Sequence, residues 1–107
     1  MVKKVSNLIY WHYMDDLKQK IIPVLEKYGV KKAALFGSYS RGEHTEKSDV
    51  DLLINMVAVP SFFELARLQS ELELLFGKKV DLVMEENLKK SLAPFITPDL
   101  ITLYEKN

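Results

Sequence analysis

The sequence predicts an α/β (α+β) domain: a small mixed three-stranded core sheet with helices packed mainly on one face. Two observations predict it. Hydrophobic periodicity changes along the chain in the order helix, strand, strand, helix, strand, within 107 residues, the length of one domain. Three aspartates, Asp49, Asp51 and Asp81, stand at or inside apolar strand-like runs. Carboxylates placed there need one common face and a shared partner.

The elements follow in order. Leu8 to Met14 is rich in aromatics; it reads as an arm over the core or a sheet edge, against a base-stacking or partner surface. Asp15 or Asp16 can cap the helix that follows, in which Met14, Leu17, Ile21, Leu25 and Tyr28 recur at helical spacing. Pro23 should kink this helix or mark the first turn of its second half, and Gly29 stops it. Lys31-Lys32 leads into a short buried strand, Ala33 to Phe36, and a second strand runs from Asp49 to Ile54. Ser61 followed by Glu64 is a capping box for a helix with the stripe Leu65, Leu68, Leu72 and Leu75, closed by Gly77. That stripe is core. Lys78 to Met84 is the third strand, Glu85 to Leu92 a short helix broken by Pro94, and Thr97-Pro98-Asp99 restarts a helix over Leu100 to Tyr104.

Composition narrows the class. An apolar share of 48% with 28% charged residues is that of a globular chain, which argues against wholesale disorder. Fifteen basic and fifteen acidic residues cancel, which argues against nucleic-acid binding through a bulk field. The absence of cysteine leaves no disulfide framework and no thiolate metal site. Met1 to Tyr13 has too short an apolar run for a signal peptide, and nothing has the pattern of a spanning helix. The expectation is a cytoplasmic protein of one domain, residues 1–107.

One stretch carries the chemistry: Gly37-Ser38, ten residues, then Asp49-Val50-Asp51 at the head of an apolar run. Gly37 permits a sharp turn with no side chain between backbone and ligand. Ser38 opens a helical turn whose hydroxyl and N–H groups can face an anion. Alternation puts Asp49 and Asp51 on one face of the strand, with Val50, Leu52 and Ile54 on the other. Neighbouring carboxylates repel unless a cation lies between them. A phosphate cradle opposite a carboxylate clamp suits transfer from a nucleoside triphosphate. Arg41, one turn beyond Ser38, can reach a phosphate, though spacing alone equally allows a surface arginine. His44 is a loop histidine that reads as exposed before it reads as a base. Asp81 completes the carboxylate set if it shares the face of Asp49 and Asp51; an edge-strand aspartate facing water is the alternative.

The constellation Gly37, Ser38, Arg41, Gly42, Glu43, Ser48, Asp49 and Asp51, with Asp81 as third carboxylate, resembles the minimal nucleotidyltransferase (MNT) branch of the DNA polymerase beta superfamily. The resemblance runs from Lys27-Tyr28-Gly29-Val30 to Ile101-Thr102-Leu103-Tyr104. It implies the nucleotidyltransferase fold, ATP as the substrate in common use, and two Mg²⁺ ions held by Asp49 and Asp51, one of them shared with Asp81. Gly37 and Ser38 would seat the β and γ phosphates.

The acceptor is not legible from the site. With no further domain, it must come with a partner protein or be walled in by a homo-oligomer. The resemblance implies an antitoxin that adds AMP to a tyrosine hydroxyl of a HEPN-domain ribonuclease toxin. Two alternatives stay open: a binding module that neutralises its partner by contact alone, and a small-molecule nucleotidyltransferase, which should need more chain to enclose its acceptor.

Overall fold

The computed structural model describes residues 2–38, 40–42, 45, 47–88 and 100–106, with backbone alone before residue 15. Helix α1 (Val2–Lys27) leads into strand β1 (Val30–Phe36); β2 (Val50–Met56), α2 (Phe62–Phe76), β3 (Val80–Met84), a 3₁₀ turn (Glu85–Asn87) and β4 (Ile101–Glu105) follow. The sheet order is β3-β2-β1-β4. β1 pairs antiparallel with β2 and with β4, and β2 pairs parallel with β3 across the α2 connection. The sheet is therefore mixed, as expected.

It has four strands rather than three. Residues 101–105 pair with β1 instead of forming a helix. Ile101, Thr102 and Tyr104 are strand formers, and the run has the period of two that buries Leu103 between exposed Thr102 and half-buried Tyr104. The cap expected at Thr97-Pro98-Asp99 and the break at Pro94 lie outside the described residues. The helix expected from Glu85 to Leu92 is instead a single 3₁₀ turn that ends at Asn87, where Leu88 is already extended.

The first helix is longer than its periodic part. It begins at Val2, so Asp15 and Asp16 lie within it and cap nothing, and the backbone of Leu8–Met14 is helical rather than a sheet edge. No glycine or proline interrupts residues 2–22, so nothing forces a boundary there. Pro23 lies inside the helix. Gly29 ends it at φ +74°, its N–H bonded to the Glu26 carbonyl at 3.1 Å.

The core lies between the helices and one sheet face. Leu17, Ile21 and Leu25 of α1 and Leu68, Leu72 and Phe76 of α2 pack with Ala33, Leu35, Val50, Leu52, Ile54, Val80 and Leu103. α2 is held at both ends as its sequence requires. Ser61 Oγ accepts the Glu64 N–H and Glu64 Oε1 accepts the Ser61 N–H, each at 3.1 Å. Gly77 takes the left-handed conformation that closes it. Two α2 side chains also fix the start of β3: Gln69 donates to the Val80 carbonyl at 2.8 Å, and Glu73 accepts the Val80 N–H at 3.0 Å. They clamp the backbone one residue before Asp81. No described helix is long and apolar enough to cross a membrane.

Candidate active site

Burying Val50, Leu52 and Ile54 against the helices turns Asp51 to the opposite face of β2. In the parallel register Asp51 lies beside Asp81 of β3. Asp51 is half-buried, whereas Asp81 and Asp49 are exposed, Asp49 lying one residue before the strand. β3 is the edge of the described sheet. The Asp81 carboxylate is thus not buried in an apolar run; it faces water and Asp51 together.

The electrostatics converge on Asp51. Loss of hydration pushes its carboxyl above the usual carboxylate value, the charges of Asp81 and Asp49 add to this, and a proton shared in a hydrogen bond with Asp81 adds further. The Arg41 guanidinium opposes the shift, which places Arg41 within electrostatic reach of the carboxylates. Asp51 is the residue on which the neighbouring charges act.

Opposite it stands the turn after β1. Gly37 has φ +75°, and a β-carbon there would lie 2.5 Å from Asp51 Oδ2 and 3.4 Å from its Cγ. Glycine is required twice over, for the left-handed backbone and for the space the carboxylate fills. Phe36 pairs with Asp51 across β1 and β2, so the end of one strand delivers Gly37 directly to the side chain of the other. The Arg41 N–H bonds the Gly37 carbonyl at 3.3 Å, closing a single helical turn, and Ser40 Oγ donates to the same carbonyl at 2.8 Å. Ser38 lies in that turn, half-buried. Glu43 and His44 lie outside the described residues.

The structure therefore brings Gly37, Ser38, Arg41, Asp51 and Asp81 to one end of the sheet, with Asp49 at its approach. As the side chains stand, no group of three or more His, Cys, Asp or Glu among the described residues is close enough to hold a metal ion. Asp49 is near enough to act on Asp51 through its charge without closing a three-ligand cluster. The donor set still fits Mg²⁺. The oxygens are hard ligands, and a divalent cation would offset both the lost hydration and the neighbouring negative charge that together lift Asp51.

Sequence reasoning missed two side chains that shape this end. Ser40 ties the turn at Gly37, and its position three residues after the glycine, the spacing of a serine side-chain turn, was an available signal. Lys78 bonds the loop before Asp49 from 33 positions away, and no local pattern carries such a contact.

Comparison with known proteins defines the class. The model of the nucleotidyltransferase domain family matches residues 18–103, and the chain belongs to that family, as a nucleotidyltransferase of the minimal branch. The protein adenylyltransferase MntA of Thermococcus cleftensis is 41% identical over 76 residues, 71% of this chain and 77% of that protein. A crystal structure of a toxin–antitoxin with AMP-PNP superposes with a TM-score of 0.71 at 24% identity, over 84% of this chain and 74% of the other. A complex of a tri-AMPylated Shewanella oneidensis HEPN toxin with an MNT antitoxin gives a TM-score of 0.66 at 21% identity, over 87% and 73%. At these identities the two structures are alike in fold.

Proposed function

We propose that this chain is a Mg²⁺-dependent protein adenylyltransferase. It moves AMP from ATP to a tyrosine hydroxyl of a HEPN ribonuclease toxin and so acts as that toxin's antitoxin. The carrying observation is the apposition of the Gly37 turn to Asp51, with Asp81 in register beside it. The adenylyltransferase name of the Thermococcus relative and the AMPylated toxin in the Shewanella complex support the same reading, and the AMP-PNP complex supports ATP as the donor.

In this reading the backbone at Gly37 and Ser38 receives the β and γ phosphates, and the Arg41 guanidinium adds positive charge beside them. Asp49, Asp51 and Asp81 would hold the metal. Bound Mg²⁺ supplies charge neutralisation for the triphosphate and lowers the pKa of the acceptor hydroxyl. The acceptor oxygen forms its bond to the α-phosphorus as the bond to pyrophosphate breaks, and Asp81, exposed at the sheet edge, takes the hydroxyl proton. Asp51, packed under Gly37, holds its carboxylate in one place. Positioning and charge supply the rate, since little covalent work falls to the protein.

The test combines the purified chain, ATP, Mg²⁺ and the product of the neighbouring gene, or a HEPN-type toxin, followed by peptide mass spectrometry. An AMP adduct on a partner tyrosine is the expected result. An adduct on a co-purified small molecule alone, or neutralisation of the partner with no adduct, would replace this reading by one of its alternatives.

A further inference from the structure

The loop that delivers Asp49 is held from outside by a lysine that takes no part in the chemistry above. Thr45 and Ser48 close a turn on themselves. The Thr45 N–H donates to Ser48 Oγ at 2.8 Å, the Ser48 N–H to the Thr45 carbonyl at 3.1 Å, and the Lys47 N–H to Thr45 Oγ1 at 3.3 Å. The turn ends immediately before Asp49. Lys78 Nζ donates to the same Thr45 carbonyl at 3.0 Å.

Lys78 is well placed for this. It follows Gly77, the left-handed residue that turns the chain out of α2, and lies two residues before β3. The next carbonyl, that of Lys79, accepts the Val50 N–H at 2.9 Å. Asp49 thus lies between two points, Thr45 and Val50, each bonded to the segment that leads to Asp81. The Val50 bond begins the ladder between β2 and β3 and is part of the sheet. The Thr45 bond is a separate, charge-assisted contact whose evident consequence is to restrain the loop.

We propose that Lys78 is a positioning residue for the candidate active site, fixing Asp49 beside the Asp51 and Asp81 pair by tying the loop of residues 45–48 to the lead-in of β3. Asp49 lies just outside the strand and exposed, so the ladder fixes it on the Val50 side alone and the turn ending at Ser48 fixes it on the other. The assignment rests on reading Asp49 as part of the transfer site.

Lys78→Met keeps most of the aliphatic stem and removes the donor, while Lys78→Arg keeps a cationic donor. Three readouts apply to each: amide hydrogen exchange over residues 45–50, Mn²⁺ affinity by water-proton relaxation, and kcat and KM for AMP transfer. Lys78→Met should speed exchange at Ser48 and weaken Mn²⁺ binding, each by roughly three- to tenfold, the factor carried by one net hydrogen bond. It should lower kcat more than it raises the KM for ATP, and Lys78→Arg should recover most of each loss. Unchanged exchange and Mn²⁺ affinity in Lys78→Met would overturn the assignment. So would equal damage in both variants with a matching fall in melting temperature, which would make the stem a packing group. If the wild type transfers no AMP, the adenylyltransferase reading falls, while exchange and Mn²⁺ affinity still decide the role of Lys78.

Discussion

The space a β-carbon would need at Gly37 is taken by the carboxylate of Asp51: that carbon would lie 2.5 Å from Oδ2. Each residue therefore sets the position of the other. The turn can approach the strand only because it carries no side chain, and the carboxylate is roofed by backbone rather than by a group that could swing away.

Gly37→Ala should in consequence damage the site more than the fold. The left-handed φ of +75° costs an alanine about 1–2 kcal/mol, a fall of about 5–10 °C in melting temperature for a domain of this size. The collision must also displace Asp51 or the turn, and an error of about 1 Å at reacting groups costs about 100-fold in rate. Melting curves and AMP incorporation on the same preparation check this. Retention of more than half the wild-type rate would show that the contact does not serve catalysis.

Asp51→Asn should abolish transfer and raise stability. The sign follows from the raised carboxyl. The folded state binds a proton more readily than the unfolded chain, so wild-type stability falls as pH rises from about the ordinary value of 3.8 through the folded pKa, and stays lowered above it. Asparagine removes that loss. The variant should melt about 2–4 °C higher at pH 7, a modest gain because solvent at this half-open site screens the repulsion. The difference should narrow as pH falls toward 3.8. A pH-independent difference would mean that packing, not charge, separates the two proteins.

Nucleotide and metal should bind together. The carboxylates of Asp49, Asp51 and Asp81 repel a triphosphate until cations neutralise both, so calorimetry should find ATP affinity at least about tenfold weaker without Mg²⁺. Equal affinity in EDTA would remove the metal from the proposed mechanism.

Much of the fold and part of the site were legible because their signals are local. The capping box at Ser61 and Glu64, the closing Gly77, and the alternation that turns Asp51 away from Val50 and Leu52 are each set by a few adjacent residues. Pairing Asp81 with Asp51 needed one further step, that two apolar strands joined by a helix lie parallel. What escaped depends on distance or on a finer choice. Residues 101–105 have apolar positions that fit a helix following the Thr97 cap, and pairing with β1 decided otherwise. The start of α1 escaped because Asp15 and Asp16, good caps in isolation, lie on the exposed side of a helix already running. The Lys78 contact joins residues 33 positions apart.

Transfer and partner binding should separate. An Asp49→Asn/Asp51→Asn double variant removes two charged groups from the candidate site and no apolar side chain from the core, which is built from Leu17, Ile21, Leu68, Leu72 and their neighbours. It should fold, bind the proposed HEPN-type partner with wild-type affinity, and transfer no AMP. Ser38→Ala should also bind, and should keep part of the rate because the backbone donors of the turn remain. Three measurements resolve the roles: melting temperature, partner pull-down, and incorporation from labelled ATP, with growth rescue of toxin-expressing cells beside them. Loss of rescue with binding intact assigns the protection to chemistry. Wild-type rescue by the double variant would assign it to contact alone, and the site at Gly37, Asp51 and Asp81 would then be dispensable for protection even in a competent enzyme.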